Sequence, residues 1–338
     1  MKKWARYIVA VVFLLLVAGL RVWQGAEEVS FEGGHFTCVL DLQGHKAGGM
    51  NYSVGFNYEM LRHFALAQHC GMEVILAESE DSISDYLSID TVDIVVRPWK
   101  DGHSPLPSRV LADSSTWVSR DKSVQRAVNR WLANFEHTPE YQDIRERFTP
   151  SYEPLKRAAS GNSYKYAGPY DALGKKYAAA IGWDWRILEA VIWQESKFRI
   201  EARSPKGAVG LMQMMPSTAR RYGVDDMLDP EENIRAGADY LRKLGQMFAG
   251  RAATQNDLSR FTLAAYNAGE GRILDCIRFG ESLGMPNSTW ADIEEIIPWM
   301  QLAEPDSITR HGVFKGRETI AYIHRIDTLY RAFCAVAP

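Results

Sequence analysis

The stretch DWRILEAVIWQESKF, residues 184–198, has the apolar spacing of an amphipathic helix but places a carboxylate on the apolar face. One stripe of this helix, at intervals i, i+3, i+4 and i+7, carries Leu188, Val191, Ile192 and Glu195. Partial burial and the negative end of the helix dipole both disfavour a charged carboxyl here, so we expect a raised pKa for Glu195. Such a group can donate a proton in glycosidic cleavage. From this helix alone, a glutamate turned to solvent at a fraying end is the better explanation.

The segments that follow interrupt the helical pattern with glycine, proline and polar groups. RSPKGAVGLMQMMP, residues 203–216, contains Gly207 and Gly210, which permit tight turns close to a ligand. Its methionines are typical of core filler, or of the adaptable wall of a groove. DPEENIRAGADYLRKL, residues 229–244, begins with a capping box and predicts a scaffold helix. FTLAAYNAGEGRI, residues 261–273, predicts a helix that ends at Asn-Ala-Gly, for which a C-cap is explanation enough.

Together these segments closely resemble the family-1 lytic transglycosylase domain, a lysozyme-like fold that cuts bacterial peptidoglycan. The resemblance covers residues 170 to about 332. The motif positions of that family are occupied by Glu195, Ser204, Gln213, Met215, Tyr266 and Asn267. RETIAYIHRI, residues 317–326, is similar to the fourth motif and places Tyr322 in the groove. Two departures, Arg199-Ile200 for Asn-Pro and Ile320-Ala321 for Arg and Asn, affect details of substrate contact rather than the position of the acid.

The resemblance implies a lyase in which Glu195 is the single acid and base, with no cofactor and no metal. Its substrate would be the β-1,4 bond between N-acetylmuramic acid and N-acetylglucosamine, and its product a 1,6-anhydromuramic end. Tyr266 would orient the carboxyl, and Ser204 and Gln213 would hold sugar groups. Two alternatives remain, namely a lysozyme-type hydrolase of the same fold and a non-enzymatic peptidoglycan-binding scaffold.

The first half of the chain alternates between strand-like and helix-like runs. Strands are predicted at HFTCVLDL, MEVILAE and DIVVRPW (residues 35–42, 72–78 and 93–99), and helices at residues 56–71 and 78–90. This order predicts a small parallel sheet with right-handed crossovers. Two further helices are predicted at SVQRAVNRWLANF and EYQDIRERF.

This order resembles part of the periplasmic solute-binding fold of the amino-acid-binding type. The whole second lobe of that fold is missing. Such proteins grip a ligand by closing two lobes, and one lobe cannot bury most of a small ligand. We therefore expect weak or no amino-acid binding and a docking or regulatory role, with a cell-wall enzyme or a peptide as the partner.

These patterns predict a multidomain chain with an α/β lobe followed by an all-α domain. The predicted parts are a signal or membrane anchor (1–28), a partial solute-binding-like lobe (34–150), a linker (151–168) and a lysozyme-like domain (169–335). The linker assignment rests on the mixture of proline, small and basic residues in its sequence.

The start of the chain indicates export. A basic cluster, Lys2, Lys3 and Arg6, precedes an apolar run over residues 7–20. We favour an uncleaved anchor on the periplasmic side, with a cleaved signal or a buried core helix as alternatives. In an oxidising compartment the cysteines could form one disulfide per domain, Cys38 with Cys70 and Cys276 with Cys334, or remain buried thiols. A formal charge of −3 argues against a nucleic-acid partner.

Overall fold

The structure is a computed structural model, and it divides into two compact units between Phe148 and Thr149. It describes residues 31, 34–42, 52–77, 85–86, 88–98, 108–111, 115–148, 153–162, 164–300, 310–311, 314 and 316–337. The predicted signal or anchor, residues 1–28, lies outside this range. Within it, every helix is too short or too polar to cross a membrane. The described cysteines form no disulfide.

The first unit contains a five-stranded mixed sheet. Its strands are β1 (His35–Asp41), β2 (Gly71–Ala77), β3 (Ile94–Pro98), β4 (Ser108–Val110) and β5 (Ser115–Val118), in the order β2-β1-β3-β5-β4. As predicted, β1 pairs in parallel with β2 and β3. Two strands beyond the predicted three extend the sheet, and of these β5 runs antiparallel to both β3 and β4, so the sheet as a whole is mixed. All four residues of β5 are buried, so this short strand has no alternating pattern to reveal it.

Three helices accompany this sheet. They are α1 (Ser53–Ala67), α2 (Lys122–Phe135) and α3 (Pro139–Arg147), all in predicted helical regions. Buried Asn57 on α1 accepts hydrogen bonds from the Ser115 hydroxyl (2.9 Å) and the Trp117 indole N–H (2.7 Å), which ties α1 to β5. The helix predicted over residues 78–90 falls mostly outside the described residues.

The second unit is mainly helical, as predicted. Its helices are α4 (Pro154–Ser160), α5 (Asp171–Ala180), α6 (Trp185–Ser196), α7 (Pro216–Arg221), α8 (Pro230–Phe248), α9 (Gln255–Ala268), α10 (Glu270–Leu283), α11 (Trp290–Met300) and α12 (Arg317–Val336). Helix α6 packs against α5 and α12, and α9 packs against α8, α10 and α12. The residues that the motif analysis selected lie at the C-terminal ends of α6 and α9, in the loop between α6 and α7, and in the first half of α12.

The segment predicted as a linker, residues 151–168, is partly helical. Pro154 opens α4 and Gly161 closes it in the left-handed conformation, so the residues that suggested breaks are helix ends. Helix α4 packs against α12, and the Arg157 guanidinium donates to the carbonyl of Tyr166. At least this part of the segment therefore belongs to the second unit.

Candidate active site

Glu195 lies in the last turn of α6, next to the left-handed residue Lys197 (φ 56°) that ends the helix. The three apolar members of its stripe, Leu188, Val191 and Ile192, are fully buried, whereas Glu195 itself is half-buried. Burial raises the pKa of Glu195 to about 7, against the smaller lowering effects of a hydrogen bond from Tyr322 and the charge of Lys197. The carboxyl is thus poised between its acid and base forms near neutral pH.

Tyr322, on α12, holds this carboxyl. Its hydroxyl donates a 2.7 Å hydrogen bond to Oε1 of Glu195, and its side chain is 2% exposed. Burial and the neighbouring Glu195 charge raise the pKa of Tyr322 well above its ordinary value, so the phenol remains a donor. The expectation that Tyr266 orients the carboxyl is not met, because the hydroxyl of Tyr266 donates to the carbonyl of Met212 (2.5 Å).

In the loop between α6 and α7, polar side chains form hydrogen bonds with the backbone of the loop itself. Ser204 Oγ accepts the N–H of Ala208 at 3.0 Å, and the Gln213 amide nitrogen donates to the carbonyls of Ala202 (2.9 Å) and Gly210 (3.0 Å). Gly210 has a φ of 83°, and a Cβ there would stand 2.7 Å from the carbonyl oxygen of Met227. The predicted tight turns are present, and the amide nitrogen of Gln213 forms its hydrogen bonds within the loop.

The methionines of this loop divide into two groups. Met212 and Met214 are buried, in agreement with core filling. Met215, immediately before α7, is 42% exposed, which is unusual for a large apolar side chain and fits the wall of a groove.

Tyr266 and Asn267 lie in the last turn of α9 and join different neighbours. Tyr266 contacts the α6–α7 loop through Met212, and the charge of Glu195 contributes to the raised pKa of its phenol. Asn267 Oδ1 accepts a 2.9 Å hydrogen bond from the Thr319 hydroxyl, one turn before Tyr322 on α12. The structure therefore brings Glu195, Tyr322 and Tyr266 together, with Asn267 beside them.

The family model of the Transglycosylase SLT domain matches residues 173–282, which include Glu195, the α6–α7 loop and the end of α9. The chain contains an SLT domain. The match ends before α12, so it does not include Tyr322, the residue that donates to Glu195.

Relatives with similar sequences carry the name membrane-bound lytic murein transglycosylase F. The protein from Marinobacter nauticus is 38% identical over 63% of this chain and 43% of its own length. The protein from Desulfosudis oleivorans is 33% identical over 63% of this chain and 48% of its own length. The chain thus spans less than half the length of these relatives. The crystal structure of the 70 kDa soluble lytic transglycosylase from Escherichia coli is 26% identical, with a TM-score of 0.39, over 64% of this chain and 31% of its own.

The SLT domain also contains an unusual buried carboxyl, Glu189, that the sequence pattern did not reveal. It lies on α6, is fully buried, and neither of its oxygens has a hydrogen-bond partner among the described residues. Burial and the neighbouring Asp171 raise its pKa well above the ordinary value. The periodicity of α6 places Glu189 beside the buried stripe, so the pattern alone gives no reason to expect complete burial.

Among the residues that the structure describes, no second carboxylate shifts the pKa of Glu195. The groups that shift the pKa of Glu195 are Tyr322 and Lys197, and neither is acidic. In the described chain no three His, Cys, Asp or Glu side chains are grouped as metal ligands. The arrangement offers one protonatable carboxyl with one neutral donor.

Proposed function

We propose that this chain is a peptidoglycan lytic transglycosylase in which Glu195 serves as both acid and base. The observation that carries the proposal is the half-buried Glu195 carboxyl, with a pKa of about 7 and a hydrogen bond from Tyr322, inside an SLT domain. The names of the relatives support the same activity and the same substrate, murein.

The first half of the reaction needs the acid form of Glu195. Its proton passes to the glycosidic oxygen as the bond from C1 of N-acetylmuramic acid to that oxygen breaks, which leaves positive charge on the sugar ring. The low polarity that raises the pKa keeps the proton in place until the substrate oxygen needs it. Tyr322 fixes Oε1, so the orientation of the carboxyl is set before the substrate arrives.

The second half needs the base form. The carboxylate takes the proton of the C6 hydroxyl of the same muramic acid, whose oxygen bonds to C1 and closes the 1,6-anhydro ring. The proton gained equals the proton lost, so Glu195 returns to its starting state and no water is consumed. Tyr322 now stabilises the negative charge on Glu195 during the interval between the two transfers.

The remaining motif residues are proposed to bind the glycan strand. Ser204 uses its oxygen as an acceptor in the loop, so its hydroxyl hydrogen is available to a sugar oxygen. Met215, which directly precedes α7, offers an exposed apolar surface. We place Gln213, Asn267 and Tyr266 in the same groove, where Gln213 contributes its amide oxygen and Tyr266 its ring.

The first unit is proposed to dock or regulate rather than to bind a free amino acid. It is a single α/β lobe in the described residues, without the second lobe that would enclose a small ligand. Isothermal titration of the full chain with free amino acids should show no micromolar binding, and a micromolar Kd would contradict this part of the proposal.

Residues 1–28 are proposed to export the chain and hold it at the periplasmic face of a membrane. Support comes from the basic cluster before the apolar run and from the word membrane-bound in the names of the relatives. Sedimentation with membranes should be lost when these residues are deleted. If the deleted protein still pellets with membranes, the anchor lies elsewhere.

The test of the activity compares two glutamates on one helix. Glu195→Gln should abolish release of fragments from purified peptidoglycan while the protein remains folded. Glu189→Gln is the matched control, since the oxygens of this buried glutamate accept no hydrogen bond from Tyr322, and it should leave release intact. Equal activity of the Glu195 variant and the wild type would refute the acid–base role.

The second candidate is a hydrolase of the same fold, which needs a water and usually a second carboxylate to activate it. The described side chains that act on the pKa of Glu195 are Tyr322 and Lys197, an arrangement that supports a single-carboxyl mechanism.

A further inference from the structure

Three tyrosines of the second unit form a continuous row that starts at the proposed catalytic site. The rings of Tyr266 and Tyr240 have centroids 5.5 Å apart at 46°, and those of Tyr240 and Tyr222 are 6.0 Å apart at 49°. They come from α9, from α8 and from the residue after α7. Three separate elements thus contribute to one aromatic surface.

The inner end of the row lies beside the acid. Tyr266 is bound to the α6–α7 loop through Met212, and the Glu195 charge raises its pKa. Tyr266, Tyr240 and Tyr222 are all partly exposed. The row therefore runs from the neighbourhood of Glu195 along three partly exposed tyrosines.

A carboxylate stands at the edge of the row. The hydroxyl of Tyr240 donates to Oε2 of Glu270, the first residue of α10, at 3.4 Å. Burial and the Glu270 charge raise the pKa of Tyr240 to about 12, so this phenol stays neutral at physiological pH. The hydrogen bond is long, which leaves Glu270 able to accept a second donor from a ligand.

This combination is suited to sugars. The apolar C–H face of a pyranose packs on an aromatic ring, while its hydroxyl and acetamido N–H groups need acceptors at the ring edge. We propose that Tyr240 and Tyr222, together with Glu270, bind an N-acetylhexosamine of the glycan strand that lies beyond the sugars flanking the cleaved bond. This inference rests on the proposed function, and it makes strand length a determinant of specificity.

Binding and kinetics of the full chain test the row. The probes are N-acetylglucosamine oligomers of increasing length, titrated into Glu195→Gln protein, and purified glycan strands for turnover by protein with Glu195 intact. Tyr222→Ala and Tyr240→Leu should each weaken binding of the longer oligomers by about tenfold and leave the shortest ones unaffected. In turnover the loss should fall on KM rather than kcat, because a remote contact contributes uniform binding.

Tyr177 provides a matched control for these variants, and Tyr222 is the position of the row at which we expect replacement to preserve the fold. Tyr177 on α5 also pairs its hydroxyl with a glutamate, Glu231, at 2.8 Å, and Tyr177→Ala should bind all oligomers like the parent. Tyr222 follows the end of a helix, so its replacement is readily accommodated even where Tyr240→Leu destabilises the domain, as thermal unfolding will show.

The outcomes separate the two proposals. If wild-type protein releases anhydro fragments but Tyr222→Ala matches the Tyr177 control in Kd and KM at every length, the row is packing only and this inference is overturned. If wild-type protein releases no anhydro fragments yet the row variants lose oligomer binding, the proposed reaction fails while the sugar site stands.

Discussion

Replacing Tyr322 by phenylalanine removes one hydroxyl from the proposed site and keeps the ring. The phenol donates to Oε1 of Glu195 and lowers its pKa, because the bond favours the charged carboxylate. Without this hydrogen bond, only the charge of Lys197 opposes the rise that burial causes in the pKa of Glu195. The pKa of Glu195 should therefore rise from its value of about 7.

The size of the rise follows from the kind of hydrogen bond. A bond to a charged group contributes roughly 1.5–3 kcal/mol, and about 1.4 kcal/mol corresponds to one pKa unit. Tyr322 is almost fully buried, so solvent cannot easily replace the lost donor. Tyr322→Phe should raise the pKa of Glu195 by about one to two units.

The assay is the pH dependence of kcat/KM, which reports the ionisation of the free enzyme. Glu195 donates its proton first, so activity should fall above a midpoint near pH 7 in the wild type. In Tyr322→Phe that alkaline limb should move to higher pH, whatever the loss in maximal rate. Tyr177→Phe, at a separate tyrosine–glutamate pair, should leave the alkaline limb in place. A limb that stays put or moves to lower pH in Tyr322→Phe would refute this account of the pKa.

Three further predictions concern stability. Since the folded-state pKa of Glu195 lies above its ordinary 4.5, the wild type should lose stability as pH rises from about 4.5 to 7; Glu195→Gln should therefore raise the thermal midpoint at pH 8 but not at pH 4. Glu189→Leu should stabilise the domain by about 1–3 kcal/mol in urea unfolding, because it removes a buried carboxyl without hydrogen-bond partners; a destabilised variant would indicate a hidden partner. Gly174→Ala should cost about 1–3 kcal/mol, since the new Cβ would overlap Oε1 of Glu189, and adding Glu189→Ala should recover part of that loss. Strict additivity in this double-mutant cycle would contradict the proposed contact.

Local sequence rules predicted the elements that depend on near neighbours. The i, i+3, i+4, i+7 spacing identified α6 and placed Glu195 in its last turn, as found. The capping box predicted the start of α8, where Asp229 accepts the N–H of Glu232 at 2.8 Å. Both are decided within one or two helical turns, which is the range over which side-chain spacing carries information.

Features that depend on distant parts of the chain could not be predicted in the same way. Tyr322 reaches Glu195 across 127 positions, and only the packing of α12 on α6 decides that it, rather than Tyr266, donates to the carboxyl. Complete burial of Glu189 depends on Gly168 and Gly174, whose missing side chains make room for its carboxyl. The antiparallel strands β4 and β5 have only three and four residues, and the complete burial of β5 leaves it without an alternating pattern.

Mass spectrometry of the fragments released from purified peptidoglycan by the protein without residues 1–28 tests the central claim most directly. We predict muropeptides that end in 1,6-anhydromuramic acid, each one water lighter than the hydrolytic product, and no such fragments from Glu195→Gln. Fragments with reducing ends, or unchanged release by the Glu195 variant, would contradict the account.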